Sequence, residues 1–159
     1  MSSRISDLEQ ALRPTVEAMG YAWWGLEWAG QSASRTLRLF IDHEDGIGVE
    51  DCTEVSRQVS ALLDVEDGLS DRYHLEISSP GMDRKFFRFE QLPPYIGQMM
   101  VLKTRQPISN RSRFKGKLIA LDASNKPVLT LCTDEGQVIE QIHRVEFANV
   151  DSLRLIPVF

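Results

Sequence analysis

The chain is predicted to be an α+β protein in two parts: a two-layer α-β-β-α-β module over residues 1–90 and a small all-β barrel over residues 91–159. Three observations predict it. In the first half, two apolar stripes at helical spacing alternate with short runs of strand period. In the second half the period is two throughout. Between them, Phe89-Glu90-Gln91-Leu92-Pro93-Pro94-Tyr95 breaks every pattern, because consecutive prolines cannot continue a helix and Pro94 restrains Pro93 to extended geometry.

The first element is a helix with Ile5, Leu8, Leu12, Val16 and Met19 along one face and Gly20 as its stop. Pro14 interrupts that pattern and is expected to kink the helix or mark a restart, since it lacks an amide for the preceding turn. Tyr21–Trp28 and Thr36–Asp42 read as antiparallel strands joined by a hairpin loop at Gly30–Ser34, the second with Leu37, Leu39 and Ile41 on one face. A second helix carries Val49, Cys52, Val55, Val59, Leu62 and Leu63 as its apolar stripe. Strand Tyr73–Ser78 completes the module, with the helices on one face of a small sheet.

Five short strands follow: Met99–Thr104, Phe114–Leu121, Val128–Cys132, Val138–Ile142 and Leu153–Ile156. That density points to an SH3-like or Sm-like barrel. Gly116 is expected to mark a bulge or sharp bend. Alternation turns Phe114, Leu118 and Ala120 inward, and Lys115 and Lys117 outward.

The net charge of −5 conceals an asymmetry. Residues 1–90 hold 9 Lys/Arg against 17 Asp/Glu, whereas residues 91–159 hold 9 against 6. Lys103, Arg105, Arg111, Arg113, Lys115 and Lys117 form a stretch without an acidic residue, and Ser109-Asn110 beside Arg111-Ser112-Arg113 reads as a flexible hairpin tip able to reach phosphates. An acidic module joined to a basic one is a statement about partners: phosphate for the second, a basic protein for the first. An apolar fraction of 42% supports packed cores. No apolar h-region opens the chain and no run is long enough to span a bilayer, so a cytoplasmic protein is expected. Cys52 and Cys132 are too few and too far apart for a zinc site, and read as small buried hydrophobes.

Catalytic and ligand-binding patterns fare poorly. Ser78 and Ser79 lack a Gly-x-Ser-x-Gly elbow, and Pro80 stands where an oxyanion amide would be needed. Asp42-His43-Glu44-Asp45 does not have EF-hand spacing. Gly46-x-Gly48 lacks the lysine and third glycine of a phosphate loop, leaving a loop glycine and a helix cap. Of the tryptophans, alternation places Trp24 and Trp28 on one strand face and Trp23 on the other, so at least one is core and the rest are candidates for base stacking. His74 and His143 have no evident partner. No metal, cofactor or small-molecule substrate is expected.

The most informative stretch is Leu75-Glu76-Ile77-Ser78-Ser79-Pro80-Gly81-Met82-Asp83-Arg84. A half-buried strand runs into a turn in which proline presets φ and glycine supplies the positive φ of type II, with Asp83 and Arg84 at its mouth. This run resembles the signature of the RimP family, bacterial factors for maturation of the small ribosomal subunit. Further pieces follow in family order: Gly20-Tyr21, Leu26-Glu27-Trp28, Leu37 to Asp42, Gly48 to Cys52, Val55-Ser56-Arg57, Tyr73 to Glu76, and Phe114 to Leu118. Members often carry proline and leucine after the signature arginine, where this chain has Lys85 and Phe86; Ala22-Trp23-Trp24 is also unusually aromatic.

The resemblance implies a two-domain, non-enzymatic assembly factor that binds the free, immature 30S ribosomal subunit near the ribosomal proteins of the decoding region, with an SH3-like second domain. The six cations would meet rRNA phosphates or an acidic patch, and the acidic module a basic ribosomal protein. The turn of Ser78, Ser79, Pro80, Gly81, Asp83 and Arg84 would fix interdomain geometry or present Arg84 to a partner. The alternatives are an Sm-like RNA-binding regulator acting on messages, and a small RNA-processing hydrolase using Ser78, Asp83 and Arg84.

Overall fold

The computed structural model describes residues 2–30, 35–66, 74–133 and 141–157. Most of the expected hairpin loop at Gly30–Ser34, Tyr73, and the start of the strand expected from Val138 lie outside these residues. The protein is α+β and forms two compact units, Met1–Pro80 and Gly81–Phe159.

The first unit runs α1 (Ser2–Ala18), β1 (Ala22–Ala29), β2 (Thr36–Asp42), α2 (Val49–Glu66) and β3 (His74–Ser78), the α-β-β-α-β order that the periodicities predict. Strand order is β1-β2-β3, with β1 and β2 antiparallel. Because α2 intervenes, β3 returns parallel to β2. Leu8, Leu12 and Val16 of α1, Val55, Val59 and Leu63 of α2, and Leu37, Leu39 and Ile41 of β2 are buried together as one core. The Trp23 indole Nε1 donates to Glu9 Oε2 at 2.9 Å, tying β1 to α1. Pro14 lies inside a single helix, α1.

Two details depart from simple periodicity. The register of β1 slips between Trp23 and Gly25, so Trp24 is an extra residue and the alternation reverses there. Trp23 and Trp28 consequently pair with Ile41 and Leu37, whose side chains are buried, so Trp24 and Trp28 do not share a face. Val49, expected in the apolar stripe of α2, is the first residue of the helix and is 83% exposed, at the rim of the open cleft between α2 and β3.

The second unit contains β4 (Met99–Ile108), β5 (Arg111–Asp122), β6 (Val128–Thr133), β7 (Gln141–Glu146) and β8 (Val150–Leu155). They form an all-β sheet of order β7-β6-β5-β4-β8, antiparallel throughout. Met100, Leu102, Phe114, Leu118, Leu129, Leu131, Val145 and Leu153 fill its buried side. Register is continuous through Gly116, and against β6 it slips between Leu118 and Ala120. That bulge turns Ala120 outward, against the simple alternation. Gly116 serves a different purpose: a Cβ there would stand 2.7 Å from both the Cys132 carbonyl oxygen and Thr133 Cγ2, so only glycine lets β5 and β6 approach this closely.

Residues 84–98 are bound into this unit. Lys85 bridges to Arg154, the Phe86 amide donates to the Leu153 carbonyl at 2.8 Å, and the Leu155 amide donates to Arg84 at 3.0 Å. The buried Gln91 side chain accepts the amides of Phe87 and Arg88, and Pro93–Tyr95 forms a short 3₁₀ turn. With the units divided at Pro80/Gly81, the charge asymmetry sharpens: residues 1–80 hold 6 Lys/Arg and 15 Asp/Glu, and residues 81–159 hold 12 and 8.

Candidate nucleic-acid interface

The basic stretch lies on the β4–β5 hairpin. Ile108 pairs with Arg111 across a two-residue turn, and both tip residues, Ser109 (φ 51°) and Asn110 (φ 66°), are in the left-handed region. This is the type I′ arrangement whose twist suits a hairpin, so the tip is tightly turned. Down the hairpin, Lys103 faces Arg113, Val101 faces Lys115 and Met99 faces Lys117. Directly opposed residues share a face, and this is the exposed one.

The pairing carries the face onto the neighbouring strands. Val101 is opposite Arg154 of β8, and Arg154 is opposite Lys85. One row across the sheet therefore reads Lys85, Arg154, Val101, Lys115. A second row, through Lys117, continues to Cys132 and Ile142. The outward positions of the five strands hold no aromatic ring, and Val101 (43%) and Ile142 (64%) are exposed among the cations.

The six predicted cations are not equivalent. Lys103 Nζ and Arg105 NH1 both approach the Asp151 carboxylate, at 3.7 and 3.9 Å. Arg111 folds back: its guanidinium lies 4.7 Å from the Phe114 ring centroid and donates to the Arg113 carbonyl at 3.2 Å. Arg113, Lys115 and Lys117 are exposed, as is Arg154, and among the described residues no carboxylate pairs with them. Arg154 and Lys85 are missing from the sequence-derived set because each lies far along the chain from the basic run. Only strand pairing brings them to it.

The signature turn is built otherwise. Gly81 has φ of +77°, the left-handed value glycine favours, but the turn residues are Met82 and Asp83, one step later than the expected type II turn. Arg84, half-buried, donates through Nε to the Gly81 carbonyl at 3.3 Å and through NH1 to the Tyr95 hydroxyl at 3.0 Å, while Tyr95 packs edge-on against Phe86. Ser78 Oγ donates to Glu76 Oε1 at 3.3 Å, Ser79 and Asp83 are exposed, and Pro80 is buried.

A cleft of about 710 Å³ lies between α2 and β3, lined by Val49, Cys52, Thr53, Ser56, Leu75 and Ile77 among others. Its lining draws on the signature stretch through Leu75, Ile77 and Ser79, and on Gly48, Cys52 and Ser56 of α2 and the loop before it. Burial pushes the Cys52 thiol up, which keeps it protonated and poorly nucleophilic. Among the described residues no group of three His, Cys, Asp or Glu side chains is placed to hold a metal ion, and no helix is long and apolar enough to cross a membrane.

Comparison with protein families finds the RimP N-terminal domain over residues 11–83, from the second half of α1 through the signature turn to Asp83. The matched span holds the β1-β2-α2-β3 framework and the Ser-Ser-Pro-Gly turn with its left-handed glycine. The chain carries the N-terminal domain of the RimP family of ribosome maturation factors.

Proposed function

We propose that the protein is a non-enzymatic assembly factor that binds the free, immature 30S subunit in the cytoplasm and promotes its maturation, without cofactor or small-molecule substrate. The observation that carries this reading is the row of outward cations on β4 and β5, without acidic partners at Arg113, Lys115 and Lys117 among the described residues, in a chain that carries the RimP N-terminal domain. The second unit is read as an SH3-like barrel. Its last strand, β8, returns beside its first, β4, and the bulge after Leu118 interrupts the regular course of β5. The basic unit engages rRNA phosphates, and the acidic first unit meets a basic ribosomal protein near the decoding region. Release on maturation requires weaker binding to the finished subunit than to the immature one.

Sedimentation of cell extract tests this. The protein should travel with free small subunits and be scarce on translating ribosomes, and its loss should leave immature small-subunit rRNA. Reversing Lys115 and Lys117 to glutamate should leave folding intact, since both side chains are exposed, and should weaken subunit binding. Even distribution across polysomes with normal rRNA ends in the null strain would contradict the proposal. Association with messages instead would favour an Sm-like regulator.

A further inference from the structure

The sheet face and the hairpin tip make different offers to a partner. At the tip, Arg111 is stacked on Phe114, and Arg105 shares Asp151 with Lys103. On the face, Lys115 and Arg154 flank Val101 on either side, Lys85 extends the row beyond Arg154, and Arg113 and Lys117 stand two residues away from Lys115 along β5. Strands lie about 4.8 Å apart and alternate residues repeat about every 6.7 Å, so these charges form a two-dimensional grid several strands wide.

We infer that this face, centred on Val101, is a surface for the sugar-phosphate backbone of double-helical RNA, and that Arg154 and Lys85 are binding residues on it. The inference rests on reading the chain as an rRNA-binding factor and specifies which form of RNA it meets and through which residues. Single-stranded RNA is gripped mainly by stacking splayed bases on aromatic rings; the outward positions of the five strands supply none, and at the edge of the face the half-buried Phe87 ring lies under the Lys85 ammonium at 5.5 Å. Duplex RNA is recognised instead through its phosphates and 2′-hydroxyls, for which spaced lysines and arginines suffice. The short apolar side chain of Val101 lets that backbone approach the strands. Binding is therefore expected to depend on salt and to be indifferent to sequence.

The test uses the full chain and two fluorescent probes, an RNA hairpin of about 16 base pairs, the footprint over two successive minor grooves, and an unstructured strand of equal length. The duplex should bind more tightly. Arg154→Gln and Lys85→Gln should each weaken it several-fold, and together should flatten the logarithmic salt slope by about 1.4–1.8 units. Arg154→Lys should keep the slope, and Arg13→Gln, on α1 of the first unit, should leave it unchanged. Tighter binding of the single strand, no binding of the duplex, or an unaltered slope in the double variant would overturn the inference. Thermal melting of each variant separates lost binding from lost folding, and Lys115→Gln offers a second route to the same slope change. Sedimentation with small subunits distinguishes the two failures. If the wild type travels with subunits and ignores the duplex, only the inference falls. If it does not travel with them, the proposed function falls first.

Discussion

Asp151 places its carboxylate 3.7 Å from the Lys103 ammonium, although the two residues lie on opposite ends of the second unit's sequence. The cause is a bulge. Lys103 faces Ser152 and Thr104 faces Val150, so Asp151 is the extra residue of β8 and swings out beside the cations of β4. The sequence stretch from Lys103 to Lys117 contains no acid, yet in the fold one carboxylate partly neutralises its first two members.

Asp151→Asn should therefore raise affinity for small subunits and steepen its salt dependence, because Lys103 and Arg105 become available to phosphate. Both side chains of the Lys103–Asp151 pair are more than two-fifths exposed, so stability should change by less than about 1 kcal/mol. Binding titrations at several salt concentrations check this. A fall in affinity would mean that Asp151 itself touches the partner.

Gly116→Ala tests the close crossing of β5 and β6. The added methyl would meet the Cys132 carbonyl oxygen at 2.7 Å, a backbone atom held in the β5–β6 ladder, so relief requires the strands to separate. A loss of about 1–3 kcal/mol or more is expected in urea unfolding. An unchanged midpoint would show that the two strands give way freely.

Much of this fold is legible from periodicity. Leu37, Leu39 and Ile41 alternate without interruption, and β2 begins and ends where that pattern does. The helical spacing of Leu8, Leu12 and Val16 likewise identified the buried face of α1. Legibility fails at bulges, since a single extra residue reverses every later side chain and leaves no compositional mark. Trp24 and the step between Leu118 and Ala120 are both of this kind. It fails again wherever the site depends on long-range pairing. Arg154 and Lys85 each look like isolated surface charges until β8 is laid between β4 and residue 85.

The signature turn should be intolerant of a side chain. Gly81 holds φ of +77°, where a β-branched residue is strained, and its Cβ would also meet Asp83 Oδ1 at 3.2 Å. Gly81→Val is expected to cost about 1–3 kcal/mol, read from the shift in unfolding midpoint. Equal stability of the two proteins would remove the left-handed turn as a constraint.

Arg84 closes that turn onto Tyr95, which makes the pair suitable for a double-mutant cycle. Arg84→Ala and Tyr95→Phe should each destabilise by about 1 kcal/mol, and the double variant by less than their sum. Strict additivity would show that the 3.0 Å contact contributes nothing. If Arg84→Ala weakens subunit binding far more than Tyr95→Phe does at matched stability, Arg84 also meets the partner.

The start of α2 should make stability depend on acid pH. Asp51 accepts the Tyr21 hydroxyl at 2.5 Å and the Gly48 amide at 2.7 Å, joining the approach to β1 to the first turn of α2. The Tyr21 bond, then the Gly48 amide, hold its carboxyl below the ordinary value of 3.8. A depressed folded value means the contribution is fully present above the unfolded value and is lost as pH falls through the folded one. Tyr21→Phe removes the larger cause, so the Asp51 carboxyl should titrate closer to its ordinary value in that variant. The stability gap between wild type and Tyr21→Phe should stay constant at neutral pH and narrow below about pH 4, as urea midpoints and carbon NMR of the carboxyl would show. A gap that stays constant down to about pH 2 would mean that Tyr21 acts through packing and that the charge on Asp51 plays no part.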